Sequence, residues 1–573
     1  MHHNHPMADV VISRRPLTKR LAIYHPPGRL GLKQNPFGKD VANLQLYRAL
    51  AQYGGYEQID ILSADAISGE VLSGDLFPTE TPSVRLAGAG LLATDGAAAG
   101  GTLFRGQADL SELAWNRRRT LGDKAFSLVG LIHTLAPPAM RQDISTAALA
   151  PVQDWDALIC TSPSVKAAMT NMFDGLAEHL KERLGAVSSP RPRLPIIPLG
   201  VDGARFAAIS QDKAARARLR ADLKVPDDEV LILWVGRLSF FEKAFPQPMF
   251  RAVEEAAALC GQKLHFALAG WFPNGDQDHA RYVQAARAYC PNVSVTFVDG
   301  NRADLVSDLW AAADIFVSLV DNIQETFGIT PVEAMAAGLP AVISDWDGYR
   351  FTVRDGQEGF LIPTLGGQSG LFGELLAARH GVGQETYQSY VGAVASHTAV
   401  HVGKAARAIA DLAANPDLRR TLGAAGQARV RDTFDWPVVV GELNKLFAHL
   451  SEVRAATETP PPPRARINPV RGDPYADFAG FASQVISFDT RLSLRPGISA
   501  ADLDRVAATE LDNMFQKWRA PIADARTILA YLQTSGPSLA KDLLLSLPIP
   551  QRRGAMMTLS WMAKLGMIDW LDG

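Results

Sequence analysis

At 573 residues the chain exceeds what one hydrophobic core serves, and roughly two to four domains are expected. With 47% hydrophobic residues, 20% charged residues and a formal net charge of −3, the composition is ordinarily globular and excludes a general drive toward nucleic acid or an anionic membrane. Three scattered cysteines, Cys160, Cys260 and Cys290, exclude a disulfide framework and a zinc site and point to a reducing compartment.

No run approaches the roughly 18 apolar residues of a spanning helix, so a cytoplasmic protein is expected, with membrane contact at most peripheral. Residues 1–19 lack the apolar core of a signal peptide and read as a disordered tail. Leu21 to Tyr24 is a short strand, followed by the loop HPPGRLGLKQNPFGKD. An amphipathic helix then runs from about Val41 to Tyr53, and Gly54-Gly55 stops it. Strand, glycine-bearing loop and helix open a nucleotide-binding α/β domain. Gly38 and Lys39 sit where the helix begins, within reach of a phosphate or sugar.

Ile59 to Leu62 is a second strand, whereas the Ala- and Gly-rich stretch Leu86 to Thr102, with Asp95, reads as a loop. Ser127 to Ile132 is a stronger strand, and it ends at His133-Thr134 on the edge where open α/β sheets bind ligands. Trp155 to Ser162 gives another strand and turn, and Leu194 to Asp202 leads out of the first domain. A charged helix from Lys213 to Lys224 enters the second domain. Val230 to Val235 is a buried strand followed by Gly236-Arg237-Leu238 and then Lys243. His265 to Gly270 and Val293 to Val298 add strands around a loop with Pro273, Asn274 and Gly275 and a helix near Arg281 to Tyr289. Asp299-Gly300-Asn301, after the second of these, is placed near a nucleobase.

The most informative stretch is Gln324 to Pro340, QETFGITPVEAMAAGLP, between apolar runs at Ile315–Val320 and Ala341–Ser344 that suit buried parallel strands. Thr330 reads as an N-cap, Pro331 as the first helical residue and Glu333 as the partner in a capping box, while Gly338 and Pro340 stop the helix. Glu325 then lies in a strand-to-helix loop, beside a helix N-terminus that favours a phosphate.

This stretch, E-x-F-G-x-x-x-x-E-A-M-A-x-G-x-P, resembles the signature of retaining glycosyltransferases of family 4. The resemblance covers roughly residues 20 to 450 and implies the GT-B fold, an α/β architecture of two Rossmann-like domains facing a cleft. The expected limits are 20–205 for the first domain, 206–435 for the nucleotide-sugar-binding domain and 436–455 for a helix crossing back. By resemblance Glu325 contacts the donor sugar, with Thr326, Phe327 and Gly328 in the same loop, and Glu333 holds the ribose hydroxyls. Arg237 and Lys243, after Gly236, would bind the donor diphosphate, although their spacing is one residue longer than the family's usual one. His133 would face the donor sugar from the first domain, and Lys39 is a weaker candidate in a loop without the family's Gly-Gly form. Leu199 stands where an asparagine is common. Residues 365 to 403 read as an insertion.

The implied reaction moves a sugar from a nucleoside-diphosphate sugar to a glycan, lipid-linked or other hydroxyl acceptor with retention. The cationic loop replaces a divalent ion, so neither a metal nor another cofactor is expected. A GT-B sugar-nucleotide epimerase and a non-catalytic scaffold are the alternatives. The resemblance stops before the Pro-rich linker at 456–466 and the residues beyond it. Residues 467–573 have the apolar content of a small, mostly helical or winged-helix-like module, with too few basic residues for DNA. A protein partner is expected there rather than nucleic acid.

Overall fold

The computed structural model describes residues 19–31, 35–458 and 465–571, so nearly all of the N-terminal tail and the tetraproline stretch lie outside the described residues. The chain forms two compact units, Met1–Asn468 and Pro469–Gly573.

The first unit holds two six-stranded sheets. One contains β1 (Arg20–Tyr24), β2 (Gln58–Ser63), β3 (Arg85–Gly90), β4 (Thr102–Arg105), β5 (Ser127–Leu131) and β6 (Ala157–Ile159) in the order 3-2-1-4-5-6. The other contains β7 (Val230–Val235), β8 (Leu264–Gly270), β9 (Ser294–Asp299), β10 (Ile315–Ser318), β11 (Ala341–Ser344) and β12 (Gly359–Ile362) in the order 12-11-10-7-8-9. Every pairing is parallel. Each is a doubly wound Rossmann order, which leaves a crevice outside the strand carboxyl ends, at β1/β4 in one sheet and β7/β10 in the other. The short apolar runs at Val230, Ile315 and Ala341 are strands because helices cover both faces: Leu231, Ile232, Leu233, Phe316 and Val342 are fully buried.

The stretch Leu86 to Thr102 is not a loop. It contributes β3, the helix Asp95–Gly100 and the start of β4. Its small residues answer a packing demand: a Cβ at Gly88 would lie 1.7 Å from the Ile67 carbonyl oxygen. Glycine here marks close approach of backbone within a strand.

The helix Trp436–Ala456 packs on the first sheet. Phe447 meets Phe104 with ring centroids 6.2 Å apart. The Tyr56 hydroxyl donates to Asn444 Oδ1 (2.6 Å), and Arg454 Nη1 donates to Ser127 Oγ (2.6 Å). One continuous apolar core consequently contains Leu21 and Phe104 of the first sheet, Leu231 and Phe316 of the second and Trp436 of this helix. Below the first sheet, the fully buried Arg117 and Asp156 pair at 2.7 Å, and Asp156 also accepts the Leu128 and Gln153 amides.

Residues 365–403, the expected insertion, carry the helices Leu371–Gly381 and Tyr387–Ser396, closed by an antiparallel ribbon of β13 (Thr364–Leu365) and β14 (Ala399–Val400). In the second unit, β15 (Arg491–Leu494) lies between β16 (Ser538–Leu539) and β17 (Ile568–Trp570), antiparallel to both. Helices close around a separate core that includes Leu503, Ile528, Leu529, Leu543, Leu559 and Ile568. Among the described residues, no helix is long and apolar enough to cross a membrane.

Candidate active site

The loop leaving β7 turns at Gly236 and places Arg237 against Glu242, with Nη1 2.8 Å from Oε2. The Arg237 guanidinium also lies over two rings, 5.2 Å from the centroid of Phe37 and 5.7 Å from that of Trp271. Phe37 caps the helix Gly38–Tyr53 of the first sheet, so one cation of the second sheet is held partly by a ring from the first. Six residues on, Lys243 Nζ donates to Glu325 Oε2 (2.9 Å).

Glu325 leaves β10 in the loop that resembles the family signature. Its second oxygen, Oε1, accepts the amides of Thr326 and Gly328, each at 3.2 Å. Burial alone would push this carboxyl up, but the charge and hydrogen bond of Lys243, with the backbone amides, outweigh it and hold the group below the usual carboxylate range. Glu325 is thus an ionised acceptor. The next residue joins the two sheets: the Thr326 hydroxyl donates to the His133 carbonyl (2.8 Å), and its own carbonyl accepts the Thr161 hydroxyl (3.2 Å).

The helix that follows differs from the expected one. It spans Ile329–Ala336 with Gly328 at the N-cap and no side-chain cap, so Thr330 is not the N-cap, Pro331 is the third helical residue and Glu333 closes no capping box. The reason is Gly328 itself, whose φ of 83° starts the helix early and whose missing Cβ leaves room for the Tyr349 ring, 2.1 Å from where that atom would sit. Glu333 instead stands in the second turn, where burial pushes its carboxyl up to about 7 despite the attraction of Arg205.

From the first sheet, His133 follows β5 and shares a 2.9 Å hydrogen bond between Nε2 and Asn43 Oδ1. The Asn43 amide donates to the Gly106 carbonyl (3.0 Å), which orients Oδ1 as the acceptor and assigns the proton to Nε2. Burial, aided by the Lys39 charge, lowers the imidazole to about 4, so His133 is neutral near pH 7. Lys39 is solvent-exposed in the first turn of its helix and reaches the site through its charge on His133.

Several residues of this constellation carry no sequence signal of their own. Glu242 and Phe37 are defined by what Arg237 touches. Asp347, in the loop after β11, has a left-handed φ of 41°, and its carbonyl accepts the hydroxyl of Ser164 on the helix Pro163–Leu184 (3.3 Å). Burial, reinforced by Glu325, pushes its carboxyl up to about 8. Only the fold brings this carboxyl beside Glu325.

Residues 215–365 match the family model of glycosyl transferases group 1. The chain is similar to a D-inositol 3-phosphate glycosyltransferase of Nocardia farcinica, 27% identical over 34% of this chain and 42% of the relative. A protein of the same description from Xylanimonas cellulosilytica is 26% identical over 41% of this chain and 54% of its own length. The chain thus spans about half the length of the curated relatives it matches. A solved sucrose-phosphate synthase from Thermosynechococcus elongatus is 19% identical, covering 76% of this chain and all of that one, with a TM-score of 0.48.

Proposed function

We propose that the protein is a retaining glycosyltransferase that moves a sugar from a nucleoside-diphosphate sugar to a hydroxyl acceptor. The observation that carries this reading is the pairing of Lys243 with Glu325 beside Arg237, at the carboxyl ends of β7 and β10. Two cations with the open amide end of a helix form a cradle for a diphosphate, and a carboxylate within the same cradle accepts sugar hydroxyls.

Breaking the anomeric carbon–phosphate bond places negative charge on the leaving diphosphate. Arg237, and Lys243 once it has turned to the bound diphosphate, are in place before that charge develops. As Lys243 turns toward phosphate, Glu325 is released to hydrogen-bond the sugar. Glu333, ionised above about pH 7, accepts from the ribose hydroxyls. Neutral His133 donates from Nε2 at the sugar's other side once Asn43 yields. The cations do the work of a divalent ion in this scheme, with the leaving phosphate taking the acceptor's proton. Such a reaction requires no protein nucleophile.

A thermal-shift screen of UDP, GDP, ADP and their common sugar conjugates tests the reading, since a ligand of the folded state stabilises it by mass action. Stabilisation by one nucleotide series, lost in Lys243→Ala, supports the assignment. No stabilisation by any series contradicts it.

A further inference from the structure

The insertion at 365–403 reaches the site. Its second helix is anchored by the buried Val391 and Ala395, and Gly392 lies directly on Phe241, with 3.1 Å between the place of a Cβ and the Phe241 Cβ. Phe241 belongs to the loop that runs from Arg237 to Lys243. At the start of the same helix, the Tyr387 hydroxyl donates to Gln324 Oε1 (2.8 Å), on the residue immediately before Glu325.

From Gln324 the hydrogen bonds continue. The Gln324 backbone N–H donates to Asn322 Oδ1 (2.8 Å), and Asn322 Nδ2 donates to the Lys243 backbone carbonyl. Lys243 Nζ then reaches Glu325. Gln324, held by Tyr387 through its side chain and bonded to Asn322 through its backbone, thus ties together both loops that supply the paired charges. Burial, with the nearby Glu242, raises the phenol above its ordinary range, and Arg237 only partly opposes this, so Tyr387 remains a neutral donor.

We propose that Tyr387 is a positioning residue for the Lys243–Glu325 pair, and that the insertion is a working part of the transferase site. The proposal rests on the transferase reading above. Without the phenol hydroxyl, Gln324 Oε1 loses its donor and the two loops lose their common tie, while the sheets beneath them are untouched.

The test compares Tyr387→Phe, Gln324→Leu and the double variant with the full-length wild type. Each single change should lower kcat for nucleoside-diphosphate release about five- to tenfold, the double change no further, with donor KM nearly constant. The Glu325 carboxyl, followed by carbon NMR in the ligand-free protein, should titrate at higher pH in Tyr387→Phe as Lys243 loosens. Amide exchange at 240–245 and 324–328 should quicken by about the same factor, with the strand amides unchanged. Additive losses in the double variant, or an unmoved Glu325 titration, would overturn the proposal. If the wild type releases no diphosphate from any donor, the transferase reading fails by itself. The exchange data then judge the tie alone, and equal exchange in Tyr387→Phe overturns it.

Discussion

Lys243 Nζ lies 2.9 Å from Glu325 Oε2, which joins the loop after β7 to the loop after β10 through one charge-assisted hydrogen bond. The pair keeps the cation in place and the carboxylate ionised before any ligand arrives. If these charges serve a leaving diphosphate, Lys243→Ala and Arg237→Ala should each lower kcat about 100-fold or more, with the fold intact by circular dichroism. Near-normal turnover in both variants would remove the diphosphate assignment.

Glu333 gives a prediction in pH. Its folded carboxyl titrates at about 7, above the ordinary 4.5, so the folded state holds that proton more tightly than the unfolded chain. The stabilisation is complete below about pH 4.5 and is lost as pH rises through about 7. Glu333→Gln should therefore match the wild type in Tm near pH 4 and exceed it by a few degrees at pH 8. Over the same range, calorimetric affinity for the nucleoside diphosphate should rise with pH in the wild type and stay flat in the variant. A variant less stable than wild type at pH 8 would show that the ionised carboxyl is held by a structural contact.

Asp156 is the matching test of the first sheet's foundations. It answers the buried Arg117 and two backbone amides at once, so its removal strands a cation and two donors. Asp156→Ala should cost about 3–5 kcal/mol in denaturant unfolding. A loss below about 1 kcal/mol, the scale of an exposed pair, would show that water reaches the site.

The two units have separate cores, since none of the second unit's buried cluster is shared with the first. Protein ending at Asn468 should accordingly fold and retain hydrolysis of the donor sugar, because the first unit's core and the paired charges are built from its own residues. Loss of folding on truncation would show that the first unit depends on the second.

Much of this was legible in the chain because the signals are local. The apolar runs at Val230, Ile315 and Ala341 are too short and too continuous for anything but strands covered on both faces, and their loops deliver Arg237, Lys243 and Glu325. The stretch from Leu86 to Thr102 misled, because glycines needed for close backbone approach look like glycines needed for turns. The start of the helix at Ile329 misled for a related reason: Gly328 answers to the Tyr349 ring, contributed by the short helix Tyr349–Thr352 that follows the next strand. Tyr387 meets Gln324 across 63 positions, and Phe37 reaches Arg237 from the other sheet, so neither has a neighbour in sequence that could announce it.

The most direct test of the central claim follows the anomeric carbon. The full-length protein is incubated with the nucleotide sugar chosen by thermal shift and a panel of hydroxyl acceptors, with water as the default acceptor. Proton NMR then reads the configuration of the first product while released nucleoside diphosphate is counted. The account predicts one diphosphate per sugar transferred, the donor's anomeric configuration in the product, and loss of both in Lys243→Ala. An inverted product, or no release from any donor with any acceptor, would contradict it.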